Sequence, residues 1–300
     1  MDQAEELRRM IEKQNQQKDV ARVITVTSGK GGVGKSNISV NLAVQLSRLG
    51  KRVIILDADF GLANVEIMLG IRPKYNLADL MFHGKTLREI ITEGPQNIGF
   101  ISGGSGIDEL ANLSRVQLDD LRKMLYELDD LADVIIVDTG AGISDSVLEF
   151  VAASSEVILV TTPEPTSITD AYALLKTLVK RSQFSIDDTI IKIVSNRVDS
   201  ILEGKELYNK LSMVVQNYLH LNVEFLGAIP MDMNVSKAVI KQKPVSLAYP
   251  NSDAAKAMYE MANVLCNEAV VEEEKHKKKG ISHLFSNLVK FKKNRSSLND

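Results

Sequence analysis

The chain is predicted to form a doubly wound α/β domain, with a mainly parallel sheet and helices on both faces. Short β-branched runs alternate with longer amphipathic stretches along the sequence, as in a chain of strand–helix units. The runs are nearly continuous in apolar character, which is typical of strands buried on both faces. Apolar residues make up 44% of the 300 residues, enough to build one sizeable core.

The predicted elements lie within residues 21–269, which we interpret as one domain. Each strand is bounded by turn residues, and each helix has apolar positions at a period of 3.6. The predicted strands are Val23–Thr27, Arg52–Leu56, Val134–Val137, Val157–Val160 and Ile190–Val194, and the predicted helices are Asn37–Leu49, Asp119–Leu131 and Thr169–Lys180.

Composition excludes several classes of protein. The 36 basic and 39 acidic side chains give a net charge of −3, so the chain is not basic overall and we expect no direct nucleic-acid binding. The single cysteine, Cys266, rules out an internal disulfide and a thiolate cluster, which suits the cytoplasm. No apolar run approaches the ~20 residues that span a bilayer.

A glycine-rich loop follows the first predicted strand and precedes the first helix. Glycines let successive backbone N–H groups surround phosphate oxygens, and the helix adds its positive end. The terminal lysine reaches the β- and γ-phosphates and the serine hydroxyl binds Mg²⁺. The loop is Gly29-Lys30-Gly31-Gly32-Val33-Gly34-Lys35-Ser36, followed by Asn37 in the first helical turn.

Carboxylates follow two other predicted strands. Asp57 and Asp59 come after the second strand, and Asp138 ends the Val134–Val137 run. Ligands bind at the carboxyl ends of parallel strands, so we expect these acids to converge near the phosphates.

The second lysine of the loop makes the motif specific. Lys30-Gly31-Gly32-Val33-Gly34-Lys35-Ser36 resembles the deviant Walker A loop of the MinD/ParA ATPases, and the resemblance covers roughly residues 20–265. It implies that Lys30 contacts the phosphates of the other subunit in an ATP-bound homodimer. It also implies that Ser36, Asp57 and Asp138 support Mg²⁺ and that Asp59 positions the attacking water.

The same resemblance implies where the base of ATP or ADP binds. Asn196 corresponds to the family's adenine-reading asparagine, and no guanine-type NKxD motif follows a strand. We therefore expect a Mg²⁺-dependent ATPase. The remaining predicted base-side contacts are Arg197, Pro230, Met231 and Asp232.

Two segments point to a branch of this family. Asp59–Gly70 is similar to the MinD branch, and Asp2-Gln3-Ala4-Glu5-Glu6-Leu7-Arg8 matches the DQAxxLR element of its flagellar-number regulators (FlhG, also FleN or YlxH). In those proteins the element stimulates an FlhF-type GTPase, which implies partner contacts through Gln3, Leu7 and Arg8 in residues 1–20, and flagellar switch (C-ring) proteins as further partners. A disordered tail is the alternative for this segment.

Other members of the family remain possible. A MinD-type ATPase of septum placement shares the ATPase domain, although it should lack the DQA element. A ParA-type partition ATPase is less favoured, because such proteins usually have DPQGN where this chain has Asp59-Phe60-Gly61-Leu62-Ala63-Asn64. A nitrogenase-type iron protein needs paired cysteines for its cluster and is excluded.

Residues 270–300 form a charged linker and a predicted amphipathic helix. Between Lys275 and Arg295 there are eight Lys or Arg residues and no acid, as in a helix that lies on anionic lipids. Such a helix would place the protein on the inner face of the cell membrane when ATP is bound. Packing on the protein's own domain and contact with nucleic acid are the alternatives. The apolar stripe comprises Ile281, Leu284, Phe285, Leu288 and Val289.

Overall fold

The strands are distributed along the sequence of the α/β domain, from Arg22 to Pro230. The structure, a computed structural model, describes residues 20–59, 64–104, 115–181, 184–272 and 280–296. In these ranges one sheet contains eight strands. They are β1 (Arg22–Ser28), β2 (Val53–Ala58), β3 (Thr92–Glu93), β4 (Gly99–Ser102), β5 (Val134–Ala141), β6 (Glu156–Thr161), β7 (Ile190–Val198) and β8 (Glu224–Pro230).

The helices connect these strands or follow the last of them. A single 3₁₀ turn, Pro95–Asn97, precedes β4. The described α-helices are α1 (Lys35–Arg48), α2 (Asn64–Leu69), α3 (Leu77–Phe82), α4 (Leu87–Ile90), α5 (Arg115–Leu131), α6 (Asp145–Ala153), α7 (Pro165–Val179), α8 (Ile201–Leu219), α9 (Met233–Ile240), α10 (Val245–Ala248), α11 (Asp253–Glu272) and α12 (Ile281–Ser296).

The strand order is β3-β4-β2-β5-β1-β6-β7-β8. All neighbouring strands are parallel except β3, which pairs antiparallel with β4 at the edge. The predicted fold class is confirmed, and β1, β2, β5, β6 and β7 are the five predicted strands. β5 lies between β1 and β2, which brings the phosphate loop and both acidic strand ends to one edge of the sheet.

Two helical layers cover the sheet. Side chains of β1 alternate between them, with Ile24 and Val26 in one core and Val23 in the other. The first core lies against α1 and α11, and the second lies against α5 and α12. A third cluster joins β6 and β7 to α6, α7 and α8. This double burial is why the strands are apolar at consecutive positions.

A buried ion network lies at the end of the sheet opposite the phosphate loop, where β1 and β6 begin. The Arg22 guanidinium donates to both oxygens of Glu156 at 2.7 Å, and Lys192 Nζ donates to Glu156 Oε1 at 3.0 Å. Arg22 also donates to the carbonyl of Leu265 in α11. The two cations hold the pKa of the Glu156 carboxyl below its usual value despite burial. The network ties β1, β6 and β7 to α11.

The apolar stripe near the C-terminus is packed on the domain. Ile281, Leu284, Phe285 and Leu288 are each at most 2% exposed, among core residues of α5 such as Leu121. The domain itself removes these side chains from water in this conformation, and the predicted contact of the stripe with lipid stays a prediction. The side chain of Val289 lies outside the described residues. Within the described part of the chain, no helix is long and apolar enough to cross a bilayer.

We predict that Phe285→Ala lowers the free energy of unfolding by roughly 3–5 kcal/mol, as expected for a fully buried phenylalanine. If α12 detaches by itself, the free energy of detachment sets the upper limit of this loss. Urea denaturation followed by circular dichroism measures the effect. Tyr126→Ala on α5, where the side chain is 59% exposed, is the matched control and should change stability by about 0.5 kcal/mol or less. Equal urea midpoints for wild type and Phe285→Ala would contradict the docking of α12 on the domain.

Candidate active site

The loop between β1 and α1 has the backbone geometry of an anion site. Gly32 and Gly34 have φ values of +79° and +96°, in the left-handed region that favours glycine. A Cβ added at Gly31 or Gly32 would meet no atom within 4 Å, so the backbone borders open space there. The first N–H groups of α1 have no intrahelical partners, and Gly34 at the N-cap has no side chain that could accept from them. These donors are available to a phosphate.

Two close contacts fix the position of this loop. A Cβ at Gly29 would lie 2.2 Å from the carbonyl carbon and oxygen of Asp170, so α7 packs directly against the backbone where the loop begins. At the other end, the side-chain N–H of Asn196 donates to the Val33 carbonyl at 2.7 Å. A Cβ at Gly34 would lie 2.4 Å from the same amide nitrogen. Glycine is required at both ends because larger residues would displace these partners.

Asp138 is the most buried carboxylate of the site. Its Oδ1 accepts a hydrogen bond from the Ser39 hydroxyl at 2.8 Å and lies 3.6 Å from Lys35 Nζ. Its Oδ2 is buried and has no hydrogen-bond partner among the described residues. Burial raises the pKa of Asp138 above its usual value, although Lys35 and the hydroxyls of Ser36 and Ser39 oppose this shift.

Asp57 and Asp138 are opposite one another where β2 and β5 pair. Burial, followed by the charge of Asp138, raises the pKa of Asp57 from 3.8 to about 8. Asp57 Oδ1 accepts the backbone N–H of Asp59 at 3.0 Å. The Asp59 side chain then lies over β5, with its Oδ1 3.3 Å from the Cβ position of Gly140. The three predicted acids thus converge, as the parallel topology requires. Residues 60–63 are outside the described part of the chain.

The donor set of this site fits Mg²⁺. The described residues contain no group of three or more His, Cys, Asp or Glu that could hold a metal by themselves. Mg²⁺ in nucleotide sites is bound through one or two carboxylates together with water and phosphate. Asp138 supplies a buried oxygen without a partner, and Asp57 and Ser36 supply further oxygens nearby.

Lys30 contacts the start of α7 in this chain. Its Nζ donates to Glu164 Oε2 and to Thr166 Oγ1, both at 2.8 Å, and its side chain is 37% exposed. The pairing with Lys30 lowers the pKa of Glu164. The predicted contact of Lys30 with phosphates of a second subunit stays a prediction.

The predicted base-side residues differ in what they contact. Arg197 is exposed and has a φ of +57°, at the end of β7. The Met231 N–H donates to the Val198 carbonyl at 2.8 Å, which fixes the chain after Pro230 beside β7. Asp232 Oδ1 accepts the N–H of Asn234 at 2.8 Å, and its Oδ2 accepts the N–H of Ala254 at 3.2 Å. The structure therefore gives Asp232 a capping role at the starts of α9 and α11.

Comparison with known proteins identifies the family of the chain. A ParA family model, described as a NUBPL iron-transfer P-loop NTPase, matches residues 19–266. The chain belongs to the ParA family of P-loop NTPases. It is 44% identical to the antiactivator FleN of Pseudomonas aeruginosa over 80% of this chain and 85% of that protein. It is 35% identical to the flagellum site-determining protein YlxH of Helicobacter pylori over 90% of each chain.

A solved ParA-family structure shares the fold. The MinC:MinD cell division protein complex of Aquifex aeolicus contains a chain that is 25% identical, with a TM-score of 0.63, over 82% of this chain and 96% of that one. The resemblance to the MinD/ParA family and to its flagellar branch, stated from the loop and the DQA element, is confirmed.

Sequence reasoning missed three side chains of this ParA-family site. Ser39 lies one turn after Lys35 in α1, and that spacing could have predicted a second hydroxyl facing the same direction. Glu164 and Thr166 lie where β6 gives way to α7, at a strand end where ligand-binding residues collect. No motif marked them as partners of Lys30, because that contact joins segments more than 130 residues apart.

We predict that the metal- and nucleotide-free protein becomes less stable as the pH rises from 4 to 8. In this window the unfolded chain has lost the Asp57 proton and the folded chain retains it, because the pKa is raised from 3.8 to about 8. The slope reaches up to about 1.4 kcal/mol per pH unit. Urea unfolding with a chelator measures it, and Asp57→Asn should flatten the slope. The exposed Asp187→Asn is the control. Identical slopes for wild type and Asp57→Asn would refute the assignment.

Proposed function

We propose that the protein is a Mg²⁺-dependent ATPase that cycles between a monomer and an ATP-bound, membrane-associated homodimer and regulates the number or placement of flagella. The observation that carries the proposal is the buried, unpartnered Oδ2 of Asp138 beside Lys35 and the open glycine loop. The YlxH relative is named a flagellum site-determining protein, which supports the flagellar role.

Each residue of the site has a role in phosphoryl transfer to water. The loop N–H groups and Lys35 bind the phosphates and stabilise the charge that develops on them. Ser36, Asp57 and Asp138 would hold Mg²⁺, which would neutralise phosphate charge. Asp59, beside the Gly140 position, orients the attacking water. Cations at the site would lower the raised pKa of the Asp57 carboxyl, because nearby positive charge favours the ionised form.

Lys30 connects nucleotide binding with dimerisation. In the single chain its ammonium is held by Glu164 and Thr166. In the dimer it moves from Glu164 to the phosphates bound by the second subunit, where it stabilises transition-state charge as an arginine finger does. The pair is partly exposed, so solvent screening weakens it and the free-energy cost of breaking it is small.

We predict that Asp59→Ala retains ATP affinity, loses most hydrolysis and accumulates as a dimer. The change removes the carboxylate that orients water and leaves the loop and Lys35 intact. Phosphate release and light scattering with Mg²⁺ and ATP measure the two effects. Lys35→Ala should instead weaken nucleotide binding itself, and the exposed Asp187→Ala is the matched control. An Asp59→Ala protein that hydrolyses ATP normally, or stays monomeric with ATP, would sink the assignment.

In the proposed membrane cycle, α12 leaves its docked position on the domain. Its stripe is covered by the domain, so lipid binding requires the helix to detach, and detachment exposes the stripe together with the basic residues around it. Few apolar residues take part, so one helix binds weakly. Two helices on an ATP dimer bind more tightly through effective concentration.

We predict that the protein sediments with anionic vesicles more strongly in ATP than in ADP, because the dimer presents two helices. Leu284→Glu with Phe285→Glu should abolish sedimentation, since charged side chains oppose entry into the acyl layer. Met213→Glu, at an exposed position of α8, is the control. Sedimentation that is the same in both nucleotides, or that survives the double substitution, argues against the membrane cycle.

The partners of the flagellar role remain predictions. Gln3, Leu7 and Arg8 lie outside the described residues, so the contact with an FlhF-type GTPase rests on the DQA element. Binding of flagellar switch proteins to the ATP-bound form rests on the same resemblance.

A further inference from the structure

Helix α9 has an apolar face that no other described part of the chain covers. Ala238 is buried against the core, whereas Met233 and Ile240 are 76% and 82% exposed on the opposite face. The spacing from Met233 through Lys237 to Ile240 aligns the three side chains on that face. Met231, just before the helix, is 68% exposed. Such clustering of large apolar side chains marks an interaction site.

The charged residues of α9 and of the chain that follows it to Tyr249 are all basic. No Asp or Glu occurs from Met233 to Tyr249, and this stretch contains Lys237, Lys241 and Lys243. All three lysines are exposed, and none forms an ion pair within the described ranges. Lys241 Nζ lies 4.9 Å from the ring centre of Tyr249. We call Met231, Met233, Lys237, Ile240, Lys241 and Lys243 the α9 surface.

The α9 surface is connected to the nucleotide site from two sides. Asp232 caps α9 directly after the predicted base-side residues Pro230 and Met231. On the side of Asp59, a Cβ at Gly70 would lie 2.9 Å from the Gln242 carbonyl, so the chain after α2 abuts the end of α9. Movement of either segment would shift the α9 surface.

A buried polar chain makes a third connection. Asn41 Nδ2 donates to the Asn37 carbonyl at 2.8 Å, one turn along α1 from the phosphate loop. Asn41 Oδ1 accepts the N–H of Ser246 in α10 at 2.9 Å, and Gln45 Nε2 donates to Ser246 Oγ at 3.1 Å. Amide side chains in such a chain have fixed orientations, because each hydrogen bond constrains the next.

We propose that the α9 surface binds an acidic, amphipathic segment of another protein, with apolar side chains on Met233 and Ile240 and carboxylates on the lysines. Charge complementarity selects this occupant, because the stretch carries three exposed lysines without ion-pair partners among the described residues and contains no acid. A lipid surface fits less well, since α12 docks on the other face of the sheet from α9–α11. Dependence of this binding on ATP rests on the proposed function.

The test is photo-crosslinking in the source cell. The full chain carries p-benzoylphenylalanine at Ile240, and the crosslinked peptide is identified by mass spectrometry. We expect one partner peptide in which Asp or Glu residues flank the crosslinked apolar residue. Lys237→Glu with Lys241→Glu should reduce the crosslink about tenfold or more, and partner acid-to-Lys substitutions should restore it. The matched control carries p-benzoylphenylalanine at Met213 on α8. Lys205→Glu with Lys210→Glu should leave the crosslinking of that control unchanged.

Every other outcome overturns the proposal. A crosslink to a second copy of this chain makes the surface a self-interface, and a phospholipid adduct makes it a membrane contact. An absent crosslink, or one that is unchanged by the double charge reversal, would contradict the binding of an acidic partner. ATP hydrolysis by purified Lys237→Glu, Lys241→Glu protein should equal that of wild type. Wild-type protein that fails to hydrolyse ATP would refute the proposed function, and the crosslink result would stand separately.

Discussion

The buried carboxylate of Asp138 is the interaction on which the site depends. It is removed from water and receives one hydrogen bond from Ser39 and the charge of Lys35, which leaves Oδ2 without a described partner. A buried, incompletely paired carboxylate is unfavourable unless a cation or proton enters the site. The same position of β5, between β1 and β2, brings the phosphate loop and Asp57 beside it. Burial raises the pKa of both acids, and cation binding would relieve this cost.

Local sequence patterns predicted the sheet and the site because both depend on short-range rules. Apolar runs located β1, β2, β5, β6 and β7, and the helix starts differ from the predicted ones by two to four residues. β3, β4 and β8 were missed. β3 has two residues and β4 has four, and Gly99 in β4 and Gly227 and Pro230 in β8 weaken a strand signal. The convergence of Asp57, Asp59 and Asp138 followed from parallel topology alone.

Contacts between distant segments could not be predicted in the same way. Glu164 follows β6 with no motif of its own, and its pairing with Lys30 depends on how α7 lies against Gly29. The α12 stripe has the same spacing whether it faces lipid or a protein core, so periodicity could not distinguish the two. Packing against α5 decides it in this conformation. Asp232 was predicted at the base, and its cap of α9 depends on the three-dimensional path after β8.

The strand order also has a consequence for synthesis on the ribosome. β1 pairs with β5 and β6, so the first strand ends at residue 28 and its first neighbour begins at residue 134. At roughly 5–20 residues per second, β1 emerges roughly 5–20 s before β5 has been made. During that interval a Val- and Ile-containing strand has unpaired backbone groups and can join another nascent chain. A chaperone that shields extended apolar segments would protect β1 until the centre of the sheet closes.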